Sequence, residues 1–267
     1  MGKIYVIANQ KGGVAKTATA EALAAGFTDR GFKTLAIDMD PQTDLTDNTG
    51  FGYDPEQIMQ LLLDDESKES EYPTIYDVMK GSSTAAQAIQ HLDEFDLIPG
   101  DISLASADME FTQTGREYKL KKALSPIKDS YDYIFIDTPP ALGILTVNAF
   151  MAADSVIIPV SGTNSVKGIR NLAKTISVMR EYGNPDLKIA GFLLTMFNPR
   201  ANVFKMFRNV LEEYAKRLDT KVYDSFIRKS VIVDEAAAMT TDIFEYDAKN
   251  NVSVDYNNMI DEIIKEG

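Results

Sequence analysis

The stretch from Ile4 to Thr17 restricts the fold more than any other part of the chain. Ile4-Tyr5-Val6-Ile7-Ala8 is a short, β-branched, uninterrupted apolar run. That is the pattern of a strand buried on both faces of a parallel sheet. Gly12 and Gly13 follow, then Lys16-Thr17, then the alanine-rich segment Ala18 to Phe27, which has high helix propensity. A strand, a glycine turn and a helix in that order leave the first N–H groups of the helix without internal partners. Those groups point into the turn, where the helix dipole adds positive potential, so the turn suits a phosphate. Gly12 and Gly13 lack a Cβ and let the backbone approach an anion closely. Lys16 brings a mobile cation, and the Thr17 hydroxyl can ligate Mg²⁺.

The remaining chain alternates between strand and helix patterns. Lys33 to Asp38 reads as a second buried strand, and it runs into Asp38-Met39-Asp40-Pro41-Gln42. Pro41 ends the strand, so the two carboxylates sit at its C-terminal end, where open parallel sheets bind ligands. Thr43 to Glu71 is polar and is expected to be exposed, with one helix around Ile58 to Leu63. Short helices are expected over Ile75 to Lys80 and Ala85 to His91, a strand over Phe95 to Pro99, and a helix with a basic outer face over Gly115 to Lys128. Tyr131 to Asp137 is a hydrophobic strand ending in an aspartate, the Walker B arrangement, and Asp137 would hold a Mg²⁺-bound water. Helices over Leu142 to Met151, Val166 to Glu181, Val203 to Arg217 and Val254 to Ile264 alternate with strands over Ser155 to Val160, Leu187 to Thr195 and Val222 to Ile227. Such spacing implies βαβ units in a doubly wound α/β fold, a mostly parallel sheet with helices on both faces. With no internal repeat and no low-complexity linker, residues 1–267 are expected to form a single domain.

Composition narrows the chemistry. The chain has no cysteine, which excludes disulfides, thiolate zinc sites and iron–sulfur clusters. Its one histidine, His91, lies in a polar stretch and is expected to be exposed, which argues against a histidine metal site or a Ser-His-Asp triad. The net charge of −13 argues against a uniformly basic nucleic-acid binder. Residues 188–232, however, carry nine Lys/Arg and four Asp/Glu, a net of +5, which leaves −18 for the rest. That segment is compatible with local binding of phosphate backbones. There is no signal-peptide pattern, and no apolar run nears the roughly 18 residues of a membrane span, so a cytoplasmic protein is expected.

The ordinary phosphate-loop pattern would require glycine where Gln10 and Ala15 stand. The loop instead reads K-G-G-x-x-K-T, with a second lysine at Lys11, and it resembles the deviant phosphate loop of the ParA/MinD ATPases. Four further segments are similar to those of ParA/Soj partition ATPases. They are Asp38 to Gln42, Ile136 to Pro140, Leu193 to Arg200, and Ile227 to Ala236. Ala15 replaces the family's usual glycine, which is tolerable only with a negative φ. Ala18 replaces a common threonine and removes a hydroxyl.

The resemblance implies a P-loop ATPase using ATP and Mg²⁺. Its nucleotide site would comprise Lys11, Gly12, Gly13, Val14, Ala15, Lys16, Thr17 and Ala18, with Asn198 at the adenine. ATP-bound subunits would pair face to face as a homodimer. Lys11 would reach the partner's phosphates and Lys16 those of its own subunit. Thr17 would ligate the metal, Asp38 and Asp137 would hold its water shell, and Asp40 would orient the attacking water. Arg200, Lys205, Arg208, Arg228 and Lys229 would contact DNA without sequence preference. A ParB-type centromere-binding partner would stimulate hydrolysis, and the protein would be nucleoid-associated. Two other readings are a MinD-like ATPase on a membrane surface and a nucleotide switch with negligible hydrolysis. The first needs a basic amphipathic C-terminus, and the acidic stretch from Asp255 to Glu266 argues against membrane binding.

Overall fold

The computed structural model describes residues 2–52, 72–162, 166–198 and 202–266. Eight strands among these residues form one sheet. They are β1 (Lys3–Ile7), β2 (Thr34–Asp38), β3 (Gln90–His91), β4 (Asp96–Ile98), β5 (Tyr133–Asp137), β6 (Ser155–Val160), β7 (Lys188–Thr195) and β8 (Val222–Ile227). Their order is β3-β4-β2-β5-β1-β6-β7-β8. Every pairing is parallel except that of β3 with β4. The central strands are apolar along most of their length because both faces are covered, as the run Ile4 to Ala8 implied, and two of them end in a buried aspartate.

Successive residues of a strand point to opposite faces, and two cores result. Ile4, Val6, Leu35, Ile37, Ile134 and Ile136 face one core, closed by helices that include Ile144–Ala152, Val166–Tyr182 and Asn202–Arg217. Tyr5, Ile7, Ala36 and Phe135 face the other, closed by helix Lys16–Thr28 and the C-terminal helix Asn251–Glu266. These two helices pack closely. A Cβ on Gly26 would stand 2.2 Å from Ile260 Cδ1, so any larger residue there would force the Ile260 side chain to move.

Register places the site. Asp38 pairs with Asp137 across β2 and β5, and Asp137 pairs with Ile7 across β5 and β1. Partners across a parallel pair project to the same face, so the last residues of β2 and β5 bring two carboxylates side by side beneath the loop that leaves β1.

Several local expectations differ from the structure. The helix expected over Ala85 to His91 stops at Ala88, and Gln90–His91 pairs antiparallel with β4. Ile89 takes an extended conformation, so backbone hydrogen bonding switches from helix to sheet edge. The helix expected over Gly115 to Lys128 is confined to Lys119–Leu124, with 3₁₀ turns at Arg116–Tyr118 and Lys128–Ser130. Gly115 has φ +81, and Pro126 has no N–H to continue the ladder. The expectation that Thr43 onward is exposed fails at once, because Asp44–Asn48 is a short helix with Leu45 and Thr46 buried. The helix expected at Ile58 to Leu63 lies outside the described residues. Helices Ile232–Ala238 and Ile243–Asp247 have no counterpart in the sequence reading.

Candidate nucleotide site

The loop from Ala8 to Ala15 joins β1 to helix Lys16–Thr28, and the sheet's own backbone supports it. Asn9 anchors its start, donating from Nδ2 to Pro159 O at 2.6 Å and accepting from Lys11 N at 3.0 Å. Thr195, at the end of β7, donates to Val14 O at 3.0 Å. Thr138 donates to Ile7 O at 2.8 Å. Thr195 thus holds one carbonyl of the loop and Thr138 the last carbonyl of β1, while Asn9 ties the start of the loop to β6 and engages the Lys11 N–H. The N–H groups after Lys11 suit an anion. No heavy atom approaches within 4 Å of where a Cβ on Gly12 or Gly13 would sit, and Gly13 has φ +65. That open, Cβ-free backbone is the cradle a phosphate chain needs.

Ala15 requires a correction. Its φ is +63 and its ψ 40, the left-handed region, not the negative φ expected. It is the N-cap of the helix, and the chain must turn sharply there to aim the following N–H groups into the loop. Five non-glycine residues carry positive φ among those described. Three of them, Ala15, Thr43 and Met196, lie just beyond β1, β2 and β7, at the same end of the sheet. Strain of this kind concentrates at functional edges.

The two register-paired carboxylates differ in their support. Asp38 is fully buried and accepts from Thr46 N (3.0 Å), Thr46 Oγ1 (2.7 Å) and Asp40 N (3.0 Å). Burial pushes its pKa up to about 6 even though these donors oppose the shift. Asp137 is also fully buried, and burial together with the neighbouring Asp38 charge pushes it up to about 8. The Thr17 hydroxyl, donating to Asp137 Oδ2 at 2.6 Å, and the Lys16 ammonium work against that rise. Lys16 itself is buried and also acts on Asp44. Two carboxylates in register with a hydroxyl between one of them and the loop form an all-oxygen donor set whose mutual repulsion a cation would relieve. A hard divalent cation such as Mg²⁺ fits that set.

Asp40 is buried beside them and accepts from Gln42 N at 3.0 Å. Lys11 Nζ rests on the Ser161 carbonyl at 3.2 Å, within its own chain. Ala18 lies in the first turn of the helix, half-buried. Asn198 is exposed beyond β7.

Thr46 escaped the sequence reading, although it holds Asp38 with two donors and accepts from Gly100 N at 2.8 Å. Asn9, Thr19, Thr138 and Thr195 escaped it too. Only the position of Asn9, between the strand and the glycines, offered a signal. Thr138 and Thr195 lie within segments singled out above, but their bonds to Ile7 and Val14, like those of Thr46 to Asp38, are made by the fold.

The candidate DNA-contacting residues are not gathered into one free basic patch. Arg208 is paired with Glu212 (2.8 Å) and Asp224 (3.1 Å). Arg228 grips the buried Asp255 through Nε (2.7 Å) and Nη2 (2.6 Å), while its backbone N–H donates to the same carboxylate at 3.0 Å. Lys205 and Lys229 are exposed. Arg200 lies outside the described residues. No described helix is long and apolar enough to cross a membrane.

Comparison with known proteins adds to this geometry. Residues 2–189 match the family model described as an AAA domain. The chain is 37% identical to the sporulation initiation inhibitor protein Soj of Bacillus subtilis (strain 168) over 271 residues, which spans 100% of both proteins. A solved structure named as cobyrinic acid a,c-diamide synthase from Mycobacterium smegmatis, with bound ATP analogue and magnesium, is 30% identical. It superposes with a TM-score of 0.76 over 100% of this chain and 96% of that one. A putative plasmid partition protein from Borrelia burgdorferi B31 bound to AMPPNP is 25% identical, with a TM-score of 0.78 and full coverage of both chains.

Proposed function

The chain belongs to the Soj/ParA family of partition ATPases, and from that premise we propose how its residues carry out ATP-driven DNA partition. The 267 residues act as one ATPase domain. The N–H groups of Gly12 to Ala18 cradle the phosphates of ATP, and Lys16 neutralises the β- and γ-phosphates. Thr17, Asp38 and Asp137 hold Mg²⁺, which supplies charge neutralisation at the transferring phosphoryl group. Asp40 orients the attacking water. Asn198 borders the adenine.

The observation that carries this reading is the register pairing of Asp38 with Asp137, with the Thr17 hydroxyl on Asp137 at 2.6 Å. That pairing supports a metal site because two buried carboxylates end adjacent strands beside the loop that leaves β1.

ATP-bound chains pair face to face. Lys11 then leaves Ser161 and places its ammonium on the partner's triphosphate, where it offsets charge developing during transfer. The paired form binds DNA phosphates without sequence preference. Lys205 and Lys229 are exposed and serve that task, and Arg200, outside the described residues, is proposed to join them. Arg208 and Arg228 contribute field more than contact, because each is held by acids of its own chain. A ParB-type centromere-binding partner accelerates hydrolysis and releases the DNA, and the protein is cytoplasmic and nucleoid-associated.

DNA binding measured with ATP, with ADP and without nucleotide, at two salt concentrations, tests the scheme. Binding is expected only with ATP and is expected to weaken steeply with salt. Equal binding in all three nucleotide states would overturn it.

A further inference from the structure

The left-handed residue of the phosphate loop is held by a side chain that no part of the scheme above uses. Thr19 Oγ1 lies 2.5 Å from Ala15 O, and Thr19 N donates to the same oxygen at 3.1 Å. A carbonyl can only accept, so the Thr19 hydroxyl spends its single proton on Ala15. The Tyr256 hydroxyl stands 3.2 Å from Thr19 Oγ1. Because Thr19 has no second proton, Tyr256 must be the donor. Tyr256 is fully buried on the C-terminal helix, 241 positions after Ala15 in the chain. The pair therefore forms a directed relay: Tyr256 O–H to Thr19 Oγ1, then Thr19 O–H to Ala15 O. Donation into a hydroxyl strengthens its own donation onward.

We infer that Tyr256 is a positioning residue for ATP binding, which acts through Thr19 to hold Ala15 in its left-handed conformation. An alanine at φ +63 resists that conformation. Left alone, the loop populates turns in which the N–H groups of Lys16 and Thr17 no longer converge. Apparent affinity falls in proportion to the competent fraction. The relay raises that fraction by tying the strained residue's carbonyl to a rigid, buried helix. The close Gly26–Ile260 contact keeps that helix against the one carrying Thr19. The inference rests on ATP binding at this loop, as proposed above.

The test is a double-mutant cycle on the full chain, read by the Kd for ATP with Mg²⁺ present. Y256F removes only the hydroxyl and is expected to raise Kd by about three- to tenfold, the scale of one hydrogen bond. A15G makes the left-handed conformation free of strain, so in that background Y256F is expected to change Kd by less than about twofold. A merely structural role for Tyr256 would lower the melting temperature equally in both backgrounds and leave Kd unchanged. An unchanged Kd in Y256F, or the same fold-loss with and without A15G, would overturn the inference. A wild-type chain that fails to bind ATP would overturn the proposed function itself, which is a separate outcome.

Discussion

The phosphate loop and the basic segment between Lys188 and Ile232 both present cations, but they treat them in opposite ways. At the loop, Lys16 is buried, its charge acts on Asp137 and Asp44, and it is proposed to serve the nucleotide. In the basic segment, Arg208 and Arg228 are neutralised by Glu212, Asp224 and Asp255. A cation whose position is set by backbone geometry is available for binding. A cation whose position is set by a carboxylate of its own chain belongs first to the fold. Counting charges along the sequence does not separate these two cases.

The sharpest way to break the comparison is to remove one cation from each region. K16A deletes the buried ammonium proposed to neutralise the phosphates, and ATP affinity is expected to drop at least about 100-fold, the scale of two charge-assisted hydrogen bonds. Titration calorimetry with ATP and Mg²⁺ would read it. R228A should act on stability instead. It removes both guanidinium bonds from the buried Asp255 carboxylate and leaves only the backbone N–H of residue 228 on it, at a cost of about 1–2 kcal/mol in urea unfolding. K229A, one residue along, is expected to change stability by less than about 0.5 kcal/mol while lowering the salt slope of DNA binding by about one. If R228A instead unfolds like wild type and loses DNA affinity, the arginine is a contact residue and the contrast between the regions collapses.

These outcomes also mark what the sequence could disclose. The fold class follows from apolar runs and their spacing. Asp38 and Asp137 are legible because each ends a buried strand, and strand ends meet at one edge of a parallel sheet. Lys16 and Thr17 are legible because their place in a strand-turn-helix fixes their direction. Thr46, Thr195 and Tyr256 are not legible. Each acts through hydrogen bonds whose partners the fold brings together, Thr46 to Asp38 and Gly100, Thr195 to Val14, Tyr256 to Thr19, and a hydroxyl's place in the sequence does not disclose them. The ion pair of Arg228 with Asp255 is hidden for the same reason, since 27 positions separate the partners. Ala15 was misread because a rule about alanine's preferred φ was set against a loop whose geometry is imposed from several sides.

Glu21 sharpens the contrast at a smaller scale, as a buried acid near the loop that has an amide for its partner. Asn48 Nδ2 donates to it at 2.9 Å. Burial pushes its pKa up to about 7, and the charges of Asp242 and Glu94 add to the rise. The folded-state pKa is raised, so the group's stabilising effect is complete below pH 4.5 and is lost as pH climbs through about 7. E21Q cannot ionise. Relative to wild type it is expected to gain about 3 kcal/mol at pH 8 and to converge with it below pH 4.5. A stability difference that does not vary with pH across that window would place Glu21's charge in solvent.

The smallest effects come from two left-handed residues, one in each region. Ala15 (φ +63) caps the helix that receives the phosphates, and the exposed Asp219 (φ +53) ends the turn before β8 in the basic segment. Glycine relieves strain at either place. A15G is expected to stabilise the nucleotide-free chain by up to about 1 kcal/mol, and D219G by about half that, because aspartate tolerates the left-handed region better than alanine. Thermal unfolding would read both as a rise of roughly 1–3 °C. The regions part company on ligand affinity. Relief at Ala15 enlarges the population of loops ready for ATP, so its Kd should fall by up to about fivefold, whereas relief at Asp219 should leave Kd unchanged. Equal gains in ATP affinity from both variants would show that the chain tightens as a whole, and that the strain at Ala15 has no special bearing on the phosphates beside it.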